Sequence, residues 1–111
     1  MAGKSKLPVG TLEAILAARD VPDTEHVEVP EWGLTVIVRG LARGEARAFS
    51  DMTPVDAEAH ALVCGMVEPK VTDEEAHRLL SEKAFRPTER ILAKILEASG
   101  ITDGFREGAA D

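Results

Sequence analysis

Cysteine and aromatic residues are scarce in this sequence, and each shortage narrows what the chain can be. Aromatic side chains make up 4% of the 111 residues, with one tryptophan and no tyrosine. The core must therefore be built mainly from aliphatic side chains, which suffice for one small domain. The single cysteine, Cys64, rules out an internal disulfide. Because no apolar run follows the N-terminal lysines, we expect a cytoplasmic protein without a signal peptide.

Excess positive charge and long apolar segments are also missing. Thirteen basic residues stand against twenty acidic ones, for a net charge of −7, and the basic residues are scattered along the chain. Phosphate binding requires a concentrated basic face, so we expect no nucleic-acid partner. No segment approaches the ~20 apolar residues of a membrane span. The composition therefore predicts a soluble chain with no membrane partner.

The motifs of common catalytic and cofactor sites are absent as well. The glycines at 33, 40, 44 and 65 fit no phosphate loop, dinucleotide fingerprint or nucleophile elbow. His60 and Cys64, four residues apart on one helix face, are the best metal candidate, with His77 from the next helix as a third candidate ligand. Zinc sites need three or four ligands, however, so the simpler interpretation is a small buried thiol and a polar histidine at the rim. We predict no metal site.

Acidic residues could still suggest acid and base chemistry at "TDEE", residues 72–75. Carboxylates in the first turn of a helix are already explained by the helix dipole and by a capping box. Cys64, in the apolar run "ALVCGMV", is an unpromising nucleophile. We therefore predict a protein that is not an enzyme and that uses no cofactor.

The chain does contain a β-hairpin signal, "VEVPEWGLTVIVRGL" at residues 27–41. Val27 and Val29 alternate with polar residues, and Leu34, Val36 and Val38 are predicted to share one side of the return strand. Trp32 lies in the bend, where Pro30 and Gly33 provide the turn. We expect its indole to close the open end of the hairpin face while one edge stays exposed.

Helix signals flank this hairpin on both sides. Thr11 is predicted to cap a short helix with Leu12, Ile15 and Leu16 on one face, which "RDVPDTE" ends. "LARGEARAF" is predicted to be a weak helix, disturbed by Gly44. Later segments have stronger caps and predict three further helices. The first follows Thr53 and has an apolar stripe of Val55, Ala59, Leu62, Val63 and Met66. The second follows Thr72 and is predicted to be buried through Ala76, Leu79 and Leu80. The last helix is predicted to run from about Pro87 to Ser99.

These elements predict an α+β fold in which a small hairpin packs against four to five short helices in a single domain. We expect residues 11–102 to form that domain. The first ten residues are interpreted as a flexible arm, and residues 103–111 as a flexible tail.

Two longer runs carry a resemblance to a known family. "VEVPEWGLTVIVRGLARGEARAF" combines a strand, a Pro-x-Trp-Gly bend, a return strand and a charged helix, and it resembles the tail assembly chaperones of long-tailed bacteriophages. "ALVCGMVEPKVTDEEAHRLLSEK", followed by "ILAKILEASGI", is similar to the C-terminal helices of the same proteins. The resemblance covers about residues 10–102 and depends on the order and spacing of the pieces.

The resemblance implies a non-enzymatic chaperone that works in the host bacterial cytoplasm and is not expected in the finished virion. Its expected partners are the tape measure protein and tail-tube subunits. A longer, frameshifted form of the same protein and a second copy of this chain are further candidate partners. The candidate partner-binding residues are Trp32, Ile37, Arg39, Met66, Val67, Phe85 and Phe105. Met52 is a further candidate for an adaptable apolar surface.

Two other classes of function remain open at this stage. A structural tail or head-to-tail connector component would share the small α+β body and the lack of catalytic motifs. A small acidic adaptor or inhibitor would need its carboxylates concentrated on one face, whereas here they are spread among caps, strands and turns.

Overall fold

Three antiparallel strands form the sheet of this protein, in the order β1-β2-β3. The structure is a computed structural model that describes residues 7–18 and 24–101. The strands are β1 (Glu25–Val29), β2 (Leu34–Val38) and β3 (Met66–Glu68). The helices are α1 (Leu12–Ala17), α2 (Arg43–Arg47), α3 (Pro54–Gly65), α4 (Asp73–Glu82) and α5 (Phe85–Ala98). The predicted α+β fold, a hairpin with short helices around it, is confirmed.

The hairpin bend is a short 3₁₀ turn, Pro30–Trp32. Proline suits its first position because the fixed φ of the ring matches a helical turn. Gly33 follows with φ of 64°, the left-handed conformation that glycine adopts most readily. In the resulting register Val27 pairs with Val36, and Val29 pairs with Leu34.

The core lies between one face of this sheet and helices α3 and α5. Val27, Val29, Val36 and Val38 are buried on that face, as alternation along each strand requires. The helices contribute Ala59, Leu62, Ile91, Leu92, Ile95 and Leu96. The four α5 residues are the two pairs, one turn apart, that the sequence indicated. They form the buried face of α5.

Strand β3 was not predicted. Gly65 and Pro69 do bracket the end of α3, but the three residues after Gly65 pair with β2 instead of forming a loop. The backbone N–H of Arg39 donates to the Gly65 carbonyl at 2.8 Å, which draws this segment alongside β2. Met66, assigned above to the helix stripe, is therefore a buried strand residue.

Two details of the helices also differ from the predictions. Val55 in the first turn of α3 is 49% exposed, so the buried stripe runs through Ala59, Leu62 and Gly65 instead. Helix α5 begins at Phe85, two residues before the predicted start at Pro87. Pro87 is tolerated as the third helical residue because the first four N–H groups of a helix have no partner within it.

The weak segment after Gly40 forms α2 and then continues as a 3₁₀ turn over Ala48–Asp51. The predicted caps Thr11, Thr53 and Thr72 are all confirmed, each accepting a hydrogen bond from a backbone N–H three residues on. The N-terminal arm and C-terminal tail fall largely outside the described residues.

Candidate functional site

An apolar groove opens between the hairpin and α4. Its volume is about 700 Å³. The apolar side chains that line it come from the hairpin, from β3 and from α4 with its preceding loop: Trp32, Leu34, Val36, Met66, Pro69, Val71 and Leu79. Charged residues line the α4 side of the same groove, namely Glu75, Arg78, Glu82 and Lys83. A groove of this kind suits an apolar ligand better than a charged one.

The groove exists because only part of this sheet face is buried, and the buried part ends between two residues that are paired across the hairpin. Leu34 lies directly opposite Val29 in the register and so shares its face. Val29 is fully buried, whereas Leu34 is 63% exposed. Trp32 is half-buried beside them and packs against the core. The predicted place of the indole, closing this end of the hairpin face with part of it exposed, agrees with this position.

The bend that carries Trp32 is tied to α5 by an ion pair. The two terminal guanidinium nitrogens of Arg90, Nη1 and Nη2, donate to the two carboxylate oxygens of Glu31, each at 2.7 Å. This bidentate pairing lowers the pKa of Glu31 to about 2. The two residues are 59 positions apart in the chain, so the pair ties the bend that carries Trp32 to the last helix.

The opposite wall is held by the start of α4. In the capping box, the Thr72 N–H donates to Glu75 Oε1 at 2.9 Å and the Glu75 N–H donates to Thr72 Oγ1 at 3.2 Å. Further along α4, Arg78 and Glu82 form an (i, i+4) pair at 3.0 Å. This pairing raises the pKa of Arg78 and lowers that of Glu82.

His77 anchors α4 to α3. Its Nε2 lies 2.9 Å from the Asp56 carboxylate, and its Nδ1 lies 2.8 Å from the Asp73 carbonyl oxygen. Both acceptors favour the doubly protonated ring. The bond to Asp56 is the main cause that raises the pKa of His77, and the same bond lowers the pKa of Asp56.

His60 and Cys64 form a separate, partly buried cluster with α2. The Nε2 atom of His60 lies 2.9 Å from the Glu45 carbonyl oxygen, and its ring meets Phe49 edge to face at 5.6 Å. Cys64 Sγ is 3.6 Å from the same ring nitrogen. Burial, followed by the nearby Glu45 charge, raises the pKa of the Cys64 thiol. A nucleophilic cysteine is favoured by the opposite shift, towards a lower pKa.

Metal ligation finds no further support in residues 7–18 and 24–101. No group of three or more histidine, cysteine, aspartate or glutamate side chains there is placed to hold an ion. Within the same ranges, no helix is both long and apolar enough to cross a membrane.

The predicted partner-binding residues are only partly brought together. Trp32 and Met66 line the groove.

The other candidates lie away from the groove lining. Ile37 lies on the other face of the sheet from Val36 and Val38. The guanidinium of Arg39 is bound to the Glu45 carboxylate at 2.8 and 3.1 Å. Val67 is half-buried in β3 outside the groove lining, and Phe85 is 77% exposed at the start of α5. Phe105 lies outside the described residues. Met52 is half-buried against the core.

Leu34, Val71 and Leu79 are groove residues that the sequence did not indicate as a site. Leu34 was predicted to share the buried side of β2. It does lie on that face, but beyond the part of the face that is covered, so its side chain is exposed. Leu79 was predicted to be buried and is half-buried in the groove wall. The available signal was the apolar run of β2 continuing to the very edge of the bend.

Comparisons of the chain with protein-family models, with curated proteins and with solved structures gave no significant match.

Proposed function

We propose that this protein is a non-enzymatic assembly chaperone that binds the tape measure protein of a long-tailed phage and keeps it soluble. The observation that carries the proposal is the open groove between the hairpin and α4, with Trp32, Leu34 and Leu79 offering apolar surface to a ligand. The protein would act in the host bacterial cytoplasm and leave before the virion is complete. The resemblance of residues 10–102 to tail assembly chaperones supplies the identity of the client.

The groove suits one apolar face of a client helix. A helix presents side chains three and four residues apart along a stripe, and an apolar groove buries that stripe while the polar face stays in water. Binding free energy would then come mainly from buried apolar area. We expect the affinity to change little with salt, in contrast to a basic ligand attracted by the net charge of −7.

Co-expression tests the proposal directly. A tape measure fragment expressed alone should be insoluble, and the same fragment should be soluble and co-purify when this chain is in excess. If the fragment stays insoluble at both low and high salt, the chaperone assignment is wrong.

A matched pair of variants tests whether the client binds in the groove. Leu34→Asp introduces a charge at the exposed edge of the groove, whereas Val55→Asp introduces the same charge at an exposed position of α3 outside it. We expect Leu34→Asp to abolish solubilisation and Val55→Asp to preserve it. Trp32→Ala should lose more binding than Arg39→Ala, because Arg39 is bound to Glu45 and lies outside the groove lining.

A structural tail or connector component is the alternative that one observation favours. Leu12, Ile15 and Leu16 of α1 are all exposed and lie outside the groove lining, and an exposed apolar surface of this kind suits a permanent contact between assembled subunits. Detection of the chain in purified virions in stoichiometric amounts would support this alternative over the chaperone.

A further inference from the structure

We infer that two copies of this chain pair through β1, edge to edge and antiparallel, so that their two sheets join into one continuous sheet. The free edge of β1 is complementary to itself, and this property selects a second copy as the partner. The inference goes beyond the proposed function and does not depend on it.

Strand β1 lies at one edge of the sheet, and the hydrogen bonds of the sheet fix which of its backbone groups face outward. The Arg39 N–H donates to the Gly65 carbonyl, on the β3 side of β2. Backbone groups alternate in direction along an antiparallel strand, so those of Ile37 also point towards β3 and away from β1. His26 is paired with Ile37, and its own N–H and C=O therefore point away from β2, as do those of Glu28 two residues on. Each of these two residues presents one donor and one acceptor to the free edge.

The described residues leave this edge open. His26 and Glu28 are both exposed, and neither forms a hydrogen bond or ion pair through its side chain within residues 7–18 and 24–101. Strand β1 also pairs with β2 one to one over its five residues, without a bulge. A regular, uncovered edge of this kind is a template for a further strand.

The other edge of the sheet is less suitable for such pairing. Strand β3 has three residues, its register against β2 is irregular, and Pro69 follows it directly. Short strands, irregular register and proline are features that keep an edge from pairing. Edge-to-edge contact is therefore expected at β1.

An antiparallel second copy fits the β1 edge in one register. With a twofold axis at Val27, all five residues of β1 overlap, and His26 lies opposite the second copy's Glu28. These two residues then exchange two backbone hydrogen bonds, and the symmetry repeats the exchange on the other side of the axis. A slip of two residues in either direction leaves three of the five residues paired. A slip of one residue faces the outward groups with residues that point inward.

The side chains of the same residues favour the same register. His26 and Glu28 lie on the exposed face of the sheet, and Val27 and Val29 are buried on the other face. In the twofold arrangement the imidazole N–H of each copy donates to the Glu28 carboxylate of the other, which makes two equivalent cross-strand pairs. The slipped registers instead place histidine on histidine or glutamate on glutamate. A peptide of unrelated sequence has no such reciprocal match, so a second copy is the better partner.

The resulting dimer is closed, because each copy uses its one β1 edge. The groove between the hairpin and α4 takes no lining residue from β1, so both grooves stay open in the dimer. Dimerisation and client binding can therefore be tested separately.

Sedimentation of charge-changed variants tests the pairing. His26→Glu places acid opposite acid in both cross-strand pairs and should raise the dimer dissociation constant at least about tenfold. Val55→Glu adds the same charge at an exposed site of α3 and should change this constant by less than about twofold. A parent that is still monomeric at about 1 mM overturns the inference.

Mixing two edge variants tests the register. The double variant His26→Lys with Glu28→Lys should be monomeric alone, because it places lysine opposite lysine. Mixed with His26→Glu in equal amounts, it should form a heterodimer, since each lysine then lies opposite a glutamate. A mixture that stays monomeric while both variants keep the circular dichroism spectrum of the parent overturns the register.

Hydrogen exchange of the parent locates the contact without any substitution. Between dilute and concentrated samples, exchange of the His26 and Glu28 amides should slow, because their N–H groups become bonded to the second copy. The Thr35 amide points to the other side of β2 and should not change. A dimer that protects other amides instead, or assembly beyond two copies, overturns the inference.

Discussion

Gly65 of α3 lies against Ile95 of α5 with no room for a side chain between them. A Cβ at position 65 would lie 2.7 Å from both Cδ1 and Cγ2 of Ile95. Ile95 is fully buried and branched at Cβ, so it has little freedom to move away. This contact sets how closely the two main core helices cross.

Gly65→Ala should therefore destabilise the protein by ~1 to 3 kcal/mol, the usual cost of overpacking a core. Gly44→Ala is the matched control, because a Cβ at position 44 would meet nothing within 4 Å. Alanine is the better helix former there, so that variant should be neutral or up to ~1 kcal/mol more stable. Urea denaturation of the two variants checks both expectations. Equal loss of stability in both would contradict the close crossing.

The hydroxyl of Ser99 joins the end of α5 to the loop after β2. It accepts from the Leu41 N–H at 2.7 Å and donates to the Ile95 carbonyl at 2.6 Å. Leu41 is buried, so Ser99→Ala leaves its N–H unsatisfied and should cost ~1 to 3 kcal/mol. Ser81→Ala, which removes an exposed hydroxyl bond at 3.3 Å, should cost much less. Thermal melts of both variants provide the measurement, and an unchanged melt for Ser99→Ala refutes the bridge.

Leu92 and Ile95 lie at the centre of α5 and of the core. Truncation of either to alanine should cost ~2 to 5 kcal/mol, because it leaves a cavity in a closely packed layer. Val55→Ala removes an aliphatic side chain at a half-exposed helical site and should change stability far less. If Leu92→Ala and Ile95→Ala unfold at the denaturant concentration of the parent, α5 is not the centre of the core.

The Asp56–His77 pair should stabilise the fold over a limited pH range. The raised pKa of His77 means that its contribution is complete below the unfolded value of about 6.5 and is lost as pH rises through the folded value. The lowered pKa of Asp56 means that its contribution is present above about 3.9 and is lost as pH falls through the folded value. The pair is therefore fully effective between these two unfolded values.

His77→Gln should accordingly lower the urea midpoint near pH 5 and lose this effect as pH rises through the folded pKa of His77, above which the ring is neutral. Both side chains are at least one-third exposed, 36% for His77 and 53% for Asp56, so the shift of the urea midpoint should be small and weaker in high salt. Asp56→Asn should show the same loss near pH 5, and the double variant should add little to either. A midpoint difference that is constant from pH 5 to pH 9 would show that the imidazolium is not involved.

Cys64 should behave as an inert thiol. Its raised pKa leaves little thiolate at neutral pH, and the side chain is partly buried beside His60. We expect alkylation by iodoacetamide to be slow in the native protein and to become fast in urea. His60→Ala and Cys64→Ala should leave client binding unchanged, and a chelator should not lower the melting temperature. Fast native alkylation, or a clear effect of the chelator, would restore a chemical role for this pair.

The sequence by itself determined the elements that depend on near neighbours. The caps at Thr53 and Thr72 act over three residues, and Gly100 ends α5 with φ of 78°. Period-two alternation identified both strands of the hairpin, and paired apolar residues identified the buried face of α5. Such signals are readable because the hydrogen bonds and side-chain faces concerned repeat within a few positions.

Only the tertiary structure decided which surfaces are covered and which distant residues meet. β3 is three residues long and exists because β2 offers it an edge. The Arg90–Glu31 pair joins residues 59 positions apart, and His77 reaches Asp56 across 21 positions. Leu34 has the pattern of a core residue, but the covered part of the sheet stops at Val29. The groove could therefore not be predicted from the sequence. Whether a residue on this face is buried depends on how far the packed neighbour extends, and no local sequence pattern contains that information.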